Sequence, residues 1–377
     1  MRARLLLTAC CGVFAFAGHA FGQGFVLPGV GPINRSMGGA ATAAPLDATG
    51  AINWNPATLS GLPQSRVDIG VDVIFNRNTV NSAFLRDTPG ELIGSTDSAA
   101  GVWALPAIGI AYKPQESPWA YGLGISAIGG FSVNYPGSAT NPIFTPPPPN
   151  GVGFGPAYTR LGILQLAPTV AYQLTDRLSV GFAPTISIAD AQASPFPFAS
   201  PDDANGDTFF TYPPATGSKN VWGLGAQGGL FYEGPAGVNL GVSVRSPVWF
   251  QRFQMNSRNE LGVGQEVTTQ LNYPMIVSMG AAYTGIEDVL LALDVRYVDF
   301  ASTQAFGEPA ITTPTGALRG LGWESVWLVA GGVQLKLTDT ISVRAGYSYN
   351  QNPIQERLVF YNVFAPAIYQ HVFNLGA

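Results

Sequence analysis
Apolar and polar residues alternate strictly in segments that recur along the whole chain. From Val67 to Phe75, Val67, Ile69, Val71, Val73 and Phe75 share one face, and Asp68, Gly70 and Asp72 the other. Leu178, Val180, Phe182, Ile186 and Ile188 oppose Ser179, Gly181, Ala183, Thr185 and Ser187 in the same way. So do Val238, Leu240, Val242 and Val244 against Asn239, Gly241, Ser243 and Arg245. Leu291, Leu293, Val295 and Tyr297 oppose Ala292, Asp294 and Arg296, while Ile341, Val343, Tyr347 and Tyr349 oppose Ser342, Arg344, Gly346 and Ser348. Period two predicts strands. Past the N-terminus no uninterrupted apolar run approaches the roughly 18 residues that a membrane-spanning helix needs.

A soluble sandwich alternates too, so the connections decide. Short ones fall near Lys113 to Pro118, Thr175-Asp176, Glu233 to Gly237, Gly285 to Asp288 and Thr338-Asp339. Long ones lie between them, at about 80 to 100, 132 to 158, 191 to 218, 251 to 264, 301 to 322 and 350 to 366. Regular alternation of short turns with long loops marks an outer-membrane β-barrel. A lipid-facing Arg or Lys at mid-bilayer costs roughly 2–4 kcal/mol, so Asp72, Asp294, Arg245, Arg296 and Arg344 are expected to face the lumen. Tyr112, Trp119, Trp249 and Tyr283, at strand ends, fit interfacial anchoring girdles.

Composition agrees with a lipid-facing surface: 11% of residues are charged, against roughly 25% in ordinary soluble proteins. Lysine occurs only at Lys113, Lys219 and Lys336 and the formal net charge is −5, which leaves no electrostatic footprint for nucleic acid. The N-terminus reads as a secretory leader, 1–20: basic Arg2 and Arg4, an apolar stretch from Leu5 to Phe16, and small residues ending at Ala20. Leu7-Thr8-Ala9-Cys10 also matches a lipoprotein cleavage box, but the apolar run continues well past that cysteine. Both cysteines, Cys10 and Cys11, belong to the leader, and beyond it His371 is the one histidine. No metal, cofactor or catalytic residue is therefore expected, and a barrel enzyme such as a lipase is disfavoured because an activated nucleophile needs a base beside it.

Residues 21–63 do not alternate and are rich in small side chains. They carry Arg35-Ser36-Met37-Gly38-Gly39-Ala40, then Asp47, then Asn53-Trp54-Asn55-Pro56-Ala57. This order resembles the N-terminal hatch of the FadL/TodX (OmpP1) family of outer-membrane transporters of long-chain fatty acids and aromatic hydrocarbons. Leu166-Ala167-Pro168-Thr169-Val170-Ala171-Tyr172 and Val343-Arg344-Ala345-Gly346-Tyr347 extend the resemblance, as do Asn352-Pro353-Ile354 and Tyr361 to Ala367. It implies an all-β fold, a 14-stranded antiparallel transmembrane barrel with a hatch in its lumen, and lateral release of hydrophobic molecules into the membrane. Asn55, Pro56 and Ala57 are the positions that match the hatch motif.

Within 64–377 about twelve strands can be counted, eleven complete and one beginning at Ile368 to Ala377. Family members finish on a strand with a terminal aromatic residue, and an open barrel exposes unpaired backbone to lipid. About two C-terminal strands are therefore expected to be missing.

The loops are aromatic and nearly uncharged: Phe131, Tyr135, Phe144, Phe154 and Tyr158 in one, Phe196, Phe198, Phe209, Phe210 and Tyr212 in the next. Phe131, Tyr135, Phe144, Phe154, Phe209 and Phe210 are candidates for capturing a hydrophobic ligand, with packing of the loops on one another as the alternative. Arg245, Arg296 and Arg344 are candidate contacts for a ligand carboxylate, with pairing to Asp72, Asp294 or the hatch as the alternative. The expected protein is a monomer in the bacterial outer membrane whose partners are lipid and a hydrophobic small molecule. A porin for polar solutes is the second reading.

Overall fold
In the computed structural model the alternating segments are strands whose two faces meet different surroundings. The structure describes residues 24–84, 91–218, 220–366 and 369–377, so the leader lies outside it. The first half holds β1 (Arg66–Phe75), β2 (Thr79–Phe84), β3 (Leu92–Asp97), β4 (Val102–Tyr112), β5 (Trp119–Tyr135), β6 (Ala157–Gln173), β7 (Leu178–Ser194), β8 (Ala215–Ser218) and β9 (Val221–Glu233). Then follow β10 (Val238–Arg245), β11 (Val248–Phe250), β12 (Phe253–Arg258), β13 (Gly264–Thr269), β14 (Asn272–Tyr273) and β15 (Met275–Ile286). β16 (Val289–Asp299), β17 (Val326–Lys336), β18 (Ser342–Asn350) and β19 (His371–Gly376) complete the wall.

Antiparallel pairing runs β1, β4, β5, β6, β7, β9, β10, β15, β16, β17, β18, β19. These twelve staves form the curved wall, and among the described residues β1 and β19 are its two edges. Two expected loops differ from what is observed. Much of 80 to 100 is the β2–β3 hairpin, and 251 to 264 is largely β12 and the start of β13. Above the bilayer a polar side chain carries no lipid penalty, so a ladder continues through Gln254, Asn256 and Arg258 while Phe253, Met255 and Ser257 turn inward.

Val67, Ile69, Val71, Val73 and Phe75 of β1 all face outward, as do Leu240, Val242 and Val244 of β10. Two girdles border this apolar band: Tyr112, Trp119, Tyr121, Tyr232 and Tyr283 by the short turns, Trp222, Trp249, Tyr297 and Trp327 by the long loops. Trp222 and Tyr232 lie at opposite ends of β9, and ten residues at about 3.3 Å each, tilted by about 40°, span about 25 Å, the height of a lipid-facing band.

Inside, the segment ahead of β1 fills the short-turn half of the barrel. It comprises α1 (Gly31–Ser36), α2 (Ala48–Trp54) and a 3-10 turn (Pro56–Gly61). Nothing in its sequence has helical apolar periodicity; local caps and the wall hold it instead. Asp47 caps α2, accepting from the backbone of Gly50 at 3.2 Å. Asn55 ends α2 and starts the 3-10 turn. Its side-chain amide donates to the carbonyls of Thr42 (2.8 Å) and Leu230 (2.9 Å), and its oxygen accepts from Ala57 N–H (3.1 Å). Pro56 suits the first position of that turn, where an N–H has no internal partner. The backbone of Pro56 and Ala57 lies so close to β7 that Gly181 there can carry no side chain.

Gly181 is one of a belt of lumen-facing glycines that the hatch touches with its backbone. A Cβ on Gly241 would collide with Thr42, one on Gly332 with Met37, and one on Gly346 with Gly38. These glycines meet in register across the wall: Gly181 faces Gly229, Gly241 faces Gly280, and Gly332 faces Gly346. Charge completes the attachment. Arg35 reaches Asp72 at 2.6 Å, and one oxygen of buried Asp294 accepts from Ala41 N–H, Thr42 N–H, the Thr42 hydroxyl and Arg296 (2.6 Å). The lumenal orientation expected for these charges is observed.

Gly346→Val should drive the hatch off the wall while leaving the lipid-facing surface unchanged. In planar bilayers the variant is expected to conduct ions where the parent does not. Gly331→Ala, whose Cβ would meet nothing closer than 3.7 Å, should behave like the parent.

Candidate functional site
Above the hatch, on the long-loop side, the lumen narrows to an apolar cavity of about 70 Å³. Phe131 of β5, Leu161 of β6, Ala191 and Ala193 of β7 and Met255 of β12 form its wall. Phe196, Phe198, Phe306, Leu321, Tyr361 and Phe364 close it from the loops. An engineered apolar cavity of about 150 Å³ accommodates benzene, so this one is too narrow for a single ring as it stands. A ligand larger than a few atoms requires loop side chains to move.

Of the six capture candidates, Phe131 lines the cavity. Phe154 is one ring further out, 5.6 Å from Phe364 and 6.4 Å from Tyr212, and so ties three loops into a roof. Tyr135 and Phe144 stack on each other at 4.8 Å in a separate buried cluster with Val133, Ala157 and Val363. Phe209 and Phe210 are exposed near the loop tip. Phe196 and Phe198, from the same loop as Phe209, do reach the cavity; the Pro195 and Pro197 beside them mark a bend that turns them inward. Arg160 is a further lining residue, salt-bridged to Asp190 (3.0 Å) and lying over Trp103 at 4.8 Å. Its position two residues past the loop it follows carries no motif that would single it out.

Behind the cavity's Phe306 lies the chain's first described stretch. Phe25 is buried among Tyr273, Phe300, Phe306 and Trp323, with ring centroids 4.6–6.0 Å away. This stretch is also bonded to a defect in β5. Ala127 pairs with Leu164 but Gly129 pairs with Ile163, so Ile128 is an extra residue, a β-bulge. Leu27 N–H donates to the Ile128 carbonyl (3.1 Å), and Gly130 N–H donates to the Phe25 carbonyl (2.9 Å).

At the same height the wall parts. β4 and β5 pair from Tyr112–Tyr121 up to Ala107–Ser126 and then stop. Beyond that point β4 pairs with β1 alone and β5 with β6 alone, until Ala99 N–H meets the Asn134 carbonyl at 2.7 Å. Pro106, which has no N–H to donate, stands next to the last rung. Backbone groups released at such a break need partners in a membrane, and Phe25 to Leu27 supply two.

Arg245 and Arg296 are both fully buried and flank Trp54, their guanidinium carbons 5.8 and 3.4 Å from its ring. Arg245 donates to Asn53 and to the Gln227 side chain (3.2 Å), and Arg296 to Asp294 and to the Gly39 carbonyl (2.5 Å). Both hold the hatch. Arg344 is elsewhere, near the short-turn end of β18, donating to Gln334 at 2.7 Å.

No curated protein matches the chain. Among solved structures, the toluene transporter TbuX of Ralstonia pickettii is similar with a TM-score of 0.66 and 19% identity, covering 86% of this chain and 87% of its own. The toluene transporter TodX of Pseudomonas putida gives 0.66 and 19%, covering 94% and 89%. A FadL homologue of Pseudomonas aeruginosa gives 0.65 and 15%, covering 88% and 82%. At such identities these likenesses establish the fold. Residues 13–360 match the family model described as outer membrane protein transport protein (OMPP1/FadL/TodX), and a match of that extent, on a barrel with a hatch in its lumen, makes this chain a member of that family.

Proposed function
We propose that the protein carries hydrophobic small molecules passively across the outer membrane, taking them from the apolar cavity sideways through the wall between β4 and β5. The observation that carries this reading is the coincidence of three features at one height: the closed apolar cavity, the bulge at Ile128, and the loss of β4–β5 pairing. Below them the hatch obstructs the lumen with buried backbone and charge, so a downward path would have to unseat Asp294 and the glycine contacts. A sideways path needs only Phe25 to Leu27 to give way. It also delivers the molecule into hydrocarbon, where about 25 cal/mol per Å² of apolar surface favours it over water.

Phe209 and Phe210 make first contact on this reading, Phe154 holds the roof, and Phe131 guides the ligand inward. Toluene is named for two of the similar structures, and the apolar lining suits a hydrophobic molecule that displaces the loop side chains as it enters. Export by a leader cleaved after Ala20 belongs to the same reading. A conducting porin would need an open polar lumen.

Ala193→Phe places a ring in the cavity and should reduce uptake of labelled toluene by cells at least about tenfold, given that overfilled packed sites do not readily expand. Parental uptake by that variant would exclude the cavity from the path. Deleting Ile128 restores an unbroken two-residue register between β5 and β6. Uptake should then fall to the level of cells lacking the protein while the barrel still inserts, and normal uptake would exclude the bulge as the exit.

A further inference from the structure
The charges around Trp54 do not balance. Arg245 and Arg296 are 3% and 1% exposed, and among the described residues Asp294 is the one carboxylate in their cluster. Asp294 pairs with Arg296, whereas the hydrogen-bond partners of Arg245 are the neutral groups of Asn53, Gln227 and Tyr273. One guanidinium charge is thus buried without a counter-charge. Three N–H-bearing nitrogens, Arg245 Nε, Arg296 Nε and Arg296 Nη1, are also buried without an acceptor. A buried cation in this condition is strongly disfavoured unless an anion accompanies it.

We propose that Arg245 and Arg296, with Tyr273 beside them, form a binding site for one compact anion, a carboxylate or a halide. Guanidinium N–H groups from two directions suit such an ion, through charge-assisted bonds. Tyr273 neighbours both arginines, bonds the Ile128 carbonyl at 3.3 Å, and packs edge-on against Phe25 at 5.7 Å. The site therefore lies beside Phe25 and against the bulge. An acidic hydrophobe could place its head group here while its tail occupies the apolar side, and a free halide would neutralise the same charge. The unbalanced charge is present whichever way a transported molecule leaves the barrel.

Crystals of the full chain soaked in sodium bromide test the site directly by anomalous diffraction. The expected result is a bromide peak within hydrogen-bonding reach of Arg245 and Arg296, lost in Arg245→Gln. If decanoate but not decanol removes the peak, the natural occupant is the carboxylate of an acidic hydrophobe; if neither does, it is a resident inorganic anion. Bromide at exposed cationic side chains with none at Arg245 and Arg296 would overturn the proposal. That outcome is read on the parent protein and does not depend on the variant folding.

Discussion
The contact on which the rest depends is backbone against backbone: the hatch lies on the inner wall where the wall has no side chains. At Gly181, Gly241, Gly332 and Gly346 a single methyl group would stand where hatch atoms are. Close approach brings the hatch's N–H groups to lumenal acceptors such as Asp294, and it places Asn55 where one amide can bridge Thr42 and the wall at Leu230. A buried polar network of this kind is stable only when its members are satisfied together, and breaking a buried ion pair such as Arg296–Asp294 typically costs about 3–5 kcal/mol. The hatch is therefore held as a unit, and flow past it would require many contacts to fail at once.

With the lower lumen blocked, the weak places lie above. The cavity is closed by side chains from loops, which move more readily than paired strands. Behind its Phe306, Phe25 to Leu27 are attached to β5 by a short bridge, and the Phe25 ring packs on Tyr273, Phe300, Phe306 and Trp323. The wall beside it already lacks a run of β4–β5 hydrogen bonds, so opening there breaks fewer bonds than opening any fully paired seam. Geometry and energetics both favour a lateral route for an apolar molecule.

Much of the barrel was legible in the residues because lipid punishes charge. The inward positions of Asp72, Arg245, Asp294 and Arg296 followed from period two and that one penalty. The hatch motif was legible as a pattern, and its fit appears only in three dimensions: the backbone of Ala57 lies where Gly181 leaves room, a pairing 124 positions apart in the chain. The hatch helices were not legible, since Gly31–Ser36 and Ala48–Trp54 have neither length nor apolar stripe and depend on the wall. Ile128 was hidden as one extra residue in an apolar run; the adjacent Gly129-Gly130 in mid-strand was the available hint. Aromatic loops pointed to an apolar site, yet burial rather than composition separates Phe131 and Phe196, which line it, from Tyr135 and Phe144, which pack on each other.

The most direct test is to fasten the hatch to the wall and ask whether transport survives. A Cβ on Gly124 of β5 would lie 3.5 Å from that of Ile52 on α2, within disulfide range, and beyond the leader the chain has no cysteine of its own. In the Ile52→Cys, Gly124→Cys variant, toluene uptake measured before and after reduction should be the same, because the proposed route passes above the hatch. Uptake abolished by the disulfide and restored by reduction would mean that the molecule travels down the lumen, and would contradict lateral exit.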